Sequence, residues 1–552
     1  MSAQENSAFD AEFDYVLVGS GSAGSVLANR LTEDGRHRVC VLEAGPRDLN
    51  PFIHIPAGFI KTVVNPSVNW LYAMEPSEGT AGRSIAQPRG KTLGGSSSIN
   101  GHIYNRGTPL DFDQWAQMGN RGWGYADVLP YFRRCERRIG DGDDTYRGRE
   151  GNFVVEDLEW RHPLCEAFID GAVSLGIPRN PDYNGREQKG VGYFQRSVHK
   201  GRRMSAARAF LHPARQRRNL SVITHAHATG IVLEGKRAIG VSYRRGASQQ
   251  RIRAAREVIV CGGAINSPQL LQLSGIGPAP LLKSHGIEVK HALPGVGENL
   301  RDHYAIRLAC RIKNTRTINE LSRGLPLLGE IARYLVKREG ILTLQPTLVH
   351  VFWPSQDHYD TSDLQLTFTP ASYDEGVQSK LESEPGATVA AWQQRPESTG
   401  FVRIRSTDPF EKPIIQPNYL ADEIDQQVCV AGIKLARRLM HTDPLAPFLE
   451  RETFPGPEVR SDAELLDFAR GRGTTAFHVM GTNKMGPATD PMAVVDDTLK
   501  VHGIEGLRVV DASVMPTMPS ANTNASTLMI GEKAADLILG KQPLPAAQLD
   551  SH

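Results

Sequence analysis

A mixed α/β architecture, a Rossmann-like dinucleotide-binding domain with an interleaved substrate-binding domain on an antiparallel sheet, is predicted by three observations. The segment Asp14 to Glu43 reads as strand, glycine turn, helix and strand. Strand-then-helix patterns return at Arg256 to Ile276 and at Leu507 to Leu539, so pieces of one parallel sheet lie at both ends of the chain. Between roughly 305 and 470 the pattern changes to short alternating runs such as Asp363 to Phe368 and Phe401 to Ile404, which suits a separate layer.

In the first unit, the apolar run Tyr15, Val16, Leu17, Val18 reads as a buried strand, and Gly19, Gly21 and Gly24 form G-x-G-x-x-G at the mouth of a helix. Gly19 permits a tight turn, Gly21 lets backbone N–H groups approach phosphate oxygens, and Gly24 lets the helix lie close on the strand. Glu43 ends a second apolar strand, Val39 to Leu42, at about the twenty-residue offset of a carboxylate that accepts from an adenosine ribose. An acid there disfavours a 2′-phosphate, so FAD or NAD is expected rather than NADP. Short β-rich runs follow at 221 to 243; EVIVCGGA and SPQLLQLSG then repeat the strand and helix, and Leu507 to Asp511 with Thr527 to Leu539 supply a last pair. The expected division is 12–310, mainly cofactor-binding, 311–465, mainly substrate-binding, and 466–540, returning to the cofactor domain.

At 552 residues the chain exceeds what one core supports. Lys and Arg number 63 against 61 Asp and Glu, which leaves no electrostatic footprint for nucleic acid. The six cysteines lack C-x-x-C spacing and fit reduced thiols, so a cytoplasmic location is expected. The N-terminal stretch MSAQENSAFDAEFDY has neither a basic nor an apolar leader region, and no window is apolar enough for a transmembrane segment. Leu325 to Leu335 places Leu328, Ile331 and Leu335 on one helical face near Arg333, Lys337 and Arg338. A lid or core-facing helix is the expected reading, and contact with the inner face of a membrane is the alternative. No metal-binding spacing is present.

Residues 88 to 101, PRGKTLGGSSSING, place Gly94 and Gly95 beside three serines, a backbone that can approach a flat ring system. The run Gly90 to Asn100 resembles the first signature of the glucose–methanol–choline oxidoreductases, and GAINSPQLLQLSGIG at 263 to 277 resembles the second. PGVGENLRDH at 294 to 303 and VVDASVMP at 509 to 516 are similar to the same family, closest to its bacterial choline dehydrogenase-like and alcohol dehydrogenase-like branch.

The resemblance implies FAD, with the pyrophosphate on Gly19, Ser20, Gly21, Ser22, Ala23 and Gly24, and Glu43 and Ala44 near the adenosine. It further implies contacts from Trp70, Arg89, Gly90, Gly94, Gly95, Ser96, Asn100, Gly101, His102, Ile103, Ala228, Gly262, Asp511, Ala512, Asn522 and Thr523. Some members tether the flavin through a histidine where this chain has Ile99, so non-covalent FAD is expected. His102 either tunes charge beside the flavin or points elsewhere as a hydrogen-bonded histidine.

Flavin-dependent alcohol oxidation needs a base for the hydroxyl proton and hydride delivery to flavin N5. Of seventeen histidines, His478 in TTAFHVMGTNKMG matches the family's catalytic position, and Asn522 matches the place where relatives carry Asn or His. His478 is the expected base; the Asn522 amide donates to the substrate oxygen as negative charge develops. Read without the resemblance, His478 suits a core position and Asn522 a turn or helix cap. Phe477-His478-Val479 departs from the His-Pro of close relatives. Trp353, Phe368, Tyr373 and Trp392 are candidate pocket aromatics, with ordinary core positions as the alternative for each, and no carboxylate stands out to hold a quaternary ammonium. The expected reaction is oxidation of a primary alcohol to an aldehyde, with electrons passing to a quinone, another carrier or oxygen and a dehydrogenase preferred. A redox-neutral lyase on the same fold, a protein holding FAD structurally and an NAD enzyme are the alternatives.

Overall fold

Five parallel strands form the frame of the cofactor half, in the order 220–224, 39–43, 11–18, 248–260 and 507–509. The computed structural model describes residues 9–374 and 380–549; the polar N-terminal stretch 1–8, part of the segment read as lacking a leader, lies outside the described residues. Tyr15 to Val18 and Val39 to Leu42 are buried on both faces, as expected for central strands of a parallel sheet covered by helices. The strand Ser248–Val260 is long enough to serve two environments. Its C-terminal end lies in the parallel frame, while its N-terminal part pairs antiparallel with Arg237–Arg245, which in turn pairs with His227–Glu234.

Helix Ser22–Arg30 follows the first strand, and helix Thr523–Leu539 packs beside it. Ser22 Oγ bonds Asn524 Oδ1 at 2.7 Å at one end, and Arg30 bonds Glu532 at the other. The two helices therefore run in the same direction and bring both N-termini to one place. The final helix begins at Thr523, four residues before the expected Thr527, so Asn522 is its N-cap residue.

The second sheet is antiparallel, in the order 449–454, 304–312, 386–393, 364–369, 349–353 and 190–193. Alternation gives it two different faces. Leu308, Cys310, Leu366, Phe368 and Val389 join a core with Val428 and Leu435 of helix Glu423–Met440. The intervening residues, Arg307, Gln365 and Trp392 among them, face the cofactor half. The molecule is thus a two-domain α/β fold in which strands 190–193 and 304–312, from the first part of the chain, are built into the substrate-side sheet.

The amphipathic segment corrects the inward-packing expectation. It is a helix, Gly324–Lys337, whose buried member is Tyr334, while Leu325 is 82% and Val336 80% exposed. Leu328 and Leu335 are exposed as well, so the apolar stripe faces outward.

Candidate active site

The glycines divide into two physical roles. A Cβ on Gly24 would lie 2.1 Å from the Gly19 carbonyl oxygen, and one on Gly19 would lie 2.5 Å from that of Cys261, where φ is also +105°. These two permit close packing of turn, helix and strand. A Cβ on Gly21 meets its nearest atom at 4.0 Å, so this glycine keeps a surface open instead of relieving a clash. Gly95, at φ +53°, lies against it, with a Cβ falling 2.8 Å from Gly21 Cα; Gly94 N–H also donates to the Ser20 carbonyl. The two glycine clusters therefore form one cradle.

Helix Ser22–Arg30 begins there at Gly21 without a side-chain cap, and Thr523–Leu539 begins beside it, likewise without one. Two uncapped N-termini present unsatisfied N–H donors and the positive ends of two macrodipoles, which suits the anionic part of a flavin dinucleotide. The residues present fit FAD.

Glu43 is buried and fastens the loop: Oε2 accepts from Ser20 N–H and Oγ, and Oε1 from Gly45 N–H. Burial pushes its carboxyl up and these donors oppose that. On either side of Ala44, the Glu43 carbonyl accepts from Ala226 N–H and the Gly45 carbonyl from His225 N–H, which brings Ala228 to the same end. Trp70 lies there too, stacked on Tyr72 and edge-on to His227, with Lys91 Nζ 4.5 Å from its ring centre. Asp511 accepts from Gly263 N–H, Ser267 Oγ and Ser513 N–H, locking the turn after Gly262 to the turn at Ala512.

The first-signature loop is held from below by Arg203, which sequence reading missed. Its Nη1 donates to the Ser97 and Asn100 carbonyls and to Asn100 Oδ1, and burial lowers its pKa to about 9. Ser96 Oγ accepts from Gly90 N–H, and a Cβ on Gly101 would strike Pro346. Ile99 packs with Ile53 and Val68. His102, at φ +58°, gives its Nε2 proton to the Pro56 carbonyl at 2.8 Å; burial beside Arg203 holds it neutral. Ile103 abuts the aromatic group Tyr183, Phe194 and Phe352.

His478 and Asn522 come together: Asn522 Nδ2 lies 2.8 Å from His478 Nε2. Although Asn522 occupies the N-cap position, its side chain caps nothing and turns to the imidazole. Strand pairing places a second histidine alongside. Tyr304 is opposite Thr475, and Ala476 N–H donates to the His303 carbonyl, so His303 Nδ1 lies 2.8 Å from His478 Nδ1. Asp302 clamps both backbones, with Oδ1 accepting the N–H of His303 at 3.0 Å and of His478 at 2.7 Å. Its Oδ2 accepts from Tyr419 and Thr475 hydroxyls, so the carboxylate is spent. The intervening Phe477 sits at φ +67°, a strained value for an aromatic residue, and its carbonyl is gripped by Arg89 Nη2 at 2.6 Å. Asp302, Arg203 and His303 were not singled out in sequence, although Asp302 and His303 end the LRDH run that carries part of the resemblance.

The proton positions follow from one carbonyl. His303 Nε2 is 2.7 Å from the Gln394 carbonyl, an acceptor only, so that nitrogen carries a hydrogen. Burial lowers the His303 pKa to about 4, which leaves the ring neutral and its Nδ1 a bare acceptor. His478 Nδ1 must then donate, and its Nε2 holds a lone pair toward Asn522. Burial, with His303 and Arg89 adding to it, keeps His478 far below the usual imidazole range. Trp392 stands 6.4 Å from His478, ring centre to ring centre. Phe368 and Trp353 take the ordinary-core alternative, in the core behind the sheet, with Phe368 stacked on Phe168.

The family model of GMC oxidoreductases matches residues 13–305 and 396–531. Over 546 residues the chain is 43% identical to the oxygen-dependent choline dehydrogenase of Staphylococcus aureus, covering 98% of this chain and 95% of that one. It superposes on pyridoxine 4-oxidase from Mesorbium loti with TM-score 0.85 at 31% identity, covering 95% and 98% of the two chains. With formate oxidase of Aspergillus oryzae the TM-score is 0.89 at 27% identity, covering 97% and 99%. Two paired histidines beside a glycine cradle, on a chain matched end to end by these relatives, make it a member of the glucose–methanol–choline oxidoreductases and an FAD-dependent alcohol oxidoreductase.

Proposed function

We propose that the protein oxidises a primary alcohol to an aldehyde, with His478 as the base and non-covalently bound FAD as the hydride acceptor. The observation that carries this reading is the 2.8 Å contact between His478 Nε2 and the Asn522 amide. His478 Nε2 takes the hydroxyl proton, and Nδ1–H remains bonded to His303 as the ring becomes cationic. Asn522 Nδ2 donates to the substrate oxygen as it gains negative charge. FAD, when bound, accepts the hydride of the α-carbon. The cradle of Gly19 to Gly24 and Gly94 to Gly95 holds the dinucleotide, and the turn at Asn100 to Ile103 borders the ring. Glu43, Ala44, Trp70 and Ala228 serve the adenosine end; Arg89, Gly262, Asp511, Ala512 and Thr523 shape the loops around the flavin. This assignment follows the division 12–310, 311–465 and 466–540.

Choline is the substrate in the name of the Staphylococcus relative. A quaternary ammonium needs a free carboxylate or an aromatic box; here Asp302 is already saturated, so another alcohol is preferred. The preferred acceptor is a quinone or other carrier, because the outward stripe of 324–337 offers contact with the inner face of a membrane. Among the described residues no helix is long and apolar enough to cross one.

Anaerobic addition of alcohols to the yellow holoprotein should bleach the flavin, and His478→Ala should abolish bleaching while FAD stays bound. Equal reduction rates in parent and variant would remove His478 from the reaction. A side-by-side assay with oxygen and an artificial quinone reads the acceptor.

A further inference from the structure

The face of the antiparallel sheet turned toward His478 carries a cation without a counterion. Arg307 is opposite Ala390 in the strand register, and Ala390 is opposite Thr367. Its neighbours Ile306 and Leu308 point into the apolar cores behind the sheet, so Arg307 points the other way, to the side where Trp392 meets His478 and His303. Arg307 is half-buried as a residue, and its guanidinium is enclosed enough that burial lowers its pKa. Among the described residues it has neither a hydrogen bond nor an ion pair, and the ionisable group beside it is the Tyr373 phenol.

Other enclosed arginines among the described residues have partners. Arg106 and Arg147 share the Glu136 carboxylate, Arg203 is bonded to carbonyls, and Arg89 holds Pro88 and Phe477 carbonyls beside Asp302. Four residues along the same strand, Arg311 pairs with Glu382 and Glu384. An enclosed guanidinium lacking such partners is costly unless an anion reaches it. The same side of the sheet also holds buried polar atoms with no partner among the described residues: Nε2 and Oε1 of Gln365, and Nε1 of Trp392. Gln365 is opposite Trp392 in the register. These groups and Arg307 make a polar, cationic floor that disfavours a quaternary ammonium and suits a carboxylate.

We propose that Arg307 anchors the anionic end of the substrate, which is a primary alcohol bearing a carboxylate. The proposal rests on the alcohol-oxidation reading and specifies its substrate class. Ala390 and Trp392 are two residues apart, a rise of about 7 Å, which sets the carboxylate on the order of 7–10 Å from the carbinol carbon. An ω-hydroxy acid of medium length has that reach. The hydroxyl end meets His478 and Asn522, and the guanidinium pairs the carboxylate in a two-point contact.

The test compares 6-hydroxyhexanoate, 1-hexanol and choline in anaerobic single-turnover reduction of the holoprotein and of Arg307→Met. The parent should bind the hydroxy acid at least tenfold more tightly than hexanol, and Arg307→Met should lower that preference about ten- to a hundredfold. Arg307→Lys should restore part of it. A preference unchanged within twofold in the Met variant, or a parent that favours hexanol or choline, overturns the proposal. A second measurement is independent of turnover: unreactive hexanedioate should raise the melting temperature of the parent holoprotein and not that of Arg307→Met. If no alcohol bleaches the flavin, the oxidation reading fails and this shift still decides the anion site; no shift in the parent overturns it. Should Arg307→Met not fold, Arg307→Gln takes its place.

Discussion

His303 accepts the Nδ1 proton of His478 across 2.8 Å because its own Nε2 proton is committed to the Gln394 carbonyl. One backbone oxygen thus sets two tautomers and leaves the lone pair of the outer ring facing Asn522. In the proposed reaction His303 acts through His478, as a positioning residue. Replacing it with Phe removes the acceptor and frees His478 to place its proton on Nε2. Fixing the wrong tautomer of a catalytic histidine costs up to about 10⁴ in rate, so flavin reduction should slow between about 10²- and 10⁴-fold. His303→Gln should recover part of the rate, because its amide oxygen can still accept from Nδ1. Stopped-flow reduction with FAD content held constant checks both, and a Phe variant as fast as the parent refutes the relay.

Asn522 makes no cap for its helix and spends its amide on His478, leaving Oδ1 buried and unpartnered. In the proposed reaction the amide serves the reacting oxygen and not folding. Asn522→Ala should therefore lower the reduction rate constant about 10²- to 10³-fold, the range for loss of one donor to a developing oxyanion. Thermal melting should move by a few degrees at most. Retained reduction with a large drop in melting temperature would make Asn522 a structural cap.

Several buried histidines make the fold acid-sensitive in a definite direction. Burial lowers His303 and His227 to about 4 and His350 to about 3, all below the ordinary value near 6.5 of the unfolded chain. Above about pH 6.5 both states leave these rings neutral and they contribute no pH dependence. Between about 6.5 and 4 the unfolded chain binds protons that the native rings refuse, so stability falls as pH falls. Each such group contributes a slope of at most about 1.4 kcal/mol per pH unit. Urea midpoints should drop clearly from pH 7 to pH 5, and less steeply in His350→Phe. Identical midpoints at the two pH values would contradict the neutral-histidine core.

How much of this was legible in the residues depends on whether a role is local. The cofactor strands, Gly19 to Gly24 and Glu43 declare themselves through spacing within one β-α-β unit, and the structure adds that Glu43 also ties down Ser20. His478 and Asn522 lie in loops whose meaning came from resemblance, because forty-four residues of sequence separate two groups in hydrogen-bond contact. Asp302 and His303 stand within a recognisable motif that does not declare their role, since what they do depends on a strand pairing to Thr475 that periodicity cannot show. The outward face of 324–337 defeated the inward-packing expectation for the same reason: a helix wheel gives a stripe and not the side from which the protein approaches it.

The glycines allow a separation of folding from cofactor binding. A Cβ at position 24 collides with the Gly19 carbonyl, whereas one at position 21 meets nothing closer than 4.0 Å within the protein. Gly24→Ala should lose both FAD and stability, with a cost of a few kcal/mol typical of forced backbone overpacking. Gly21→Ala should fold as an apoprotein with near-parental stability and bind FAD at least tenfold more weakly, since its methyl group occupies the open surface of the cradle. Flavin absorbance after dialysis, paired with melting of the apoproteins, reads the two effects; parental FAD content in Gly21→Ala would move the pyrophosphate elsewhere.

The exposed stripe of helix 324–337 predicts binding to an anionic bilayer. Leu325, Leu328, Leu335 and Val336 form its apolar part. Arg323, Lys337 and Arg338 flank it, and the Tyr334 hydroxyl donates to the Gly201 carbonyl, which brings Lys200 and Arg202 beside the helix. Glu330, whose carboxylate turns to accept from Ile341 N–H, and Glu339, paired with Arg333, still leave the cations in excess. Each leucine inserted into the acyl boundary contributes about 1.5–3 kcal/mol, and each nearby cation about 1 kcal/mol at an anionic surface. The holoprotein should sediment with phosphatidylglycerol-containing vesicles at low salt, less so at high salt and weakly with neutral vesicles. Leu328→Glu combined with Leu335→Glu should reduce binding at least tenfold while flavin reduction by alcohol is unchanged. Quinone reduction by vesicle-embedded quinone should fall in parallel with binding. Protein that stays in the supernatant with anionic vesicles at low salt would leave the stripe without a membrane role.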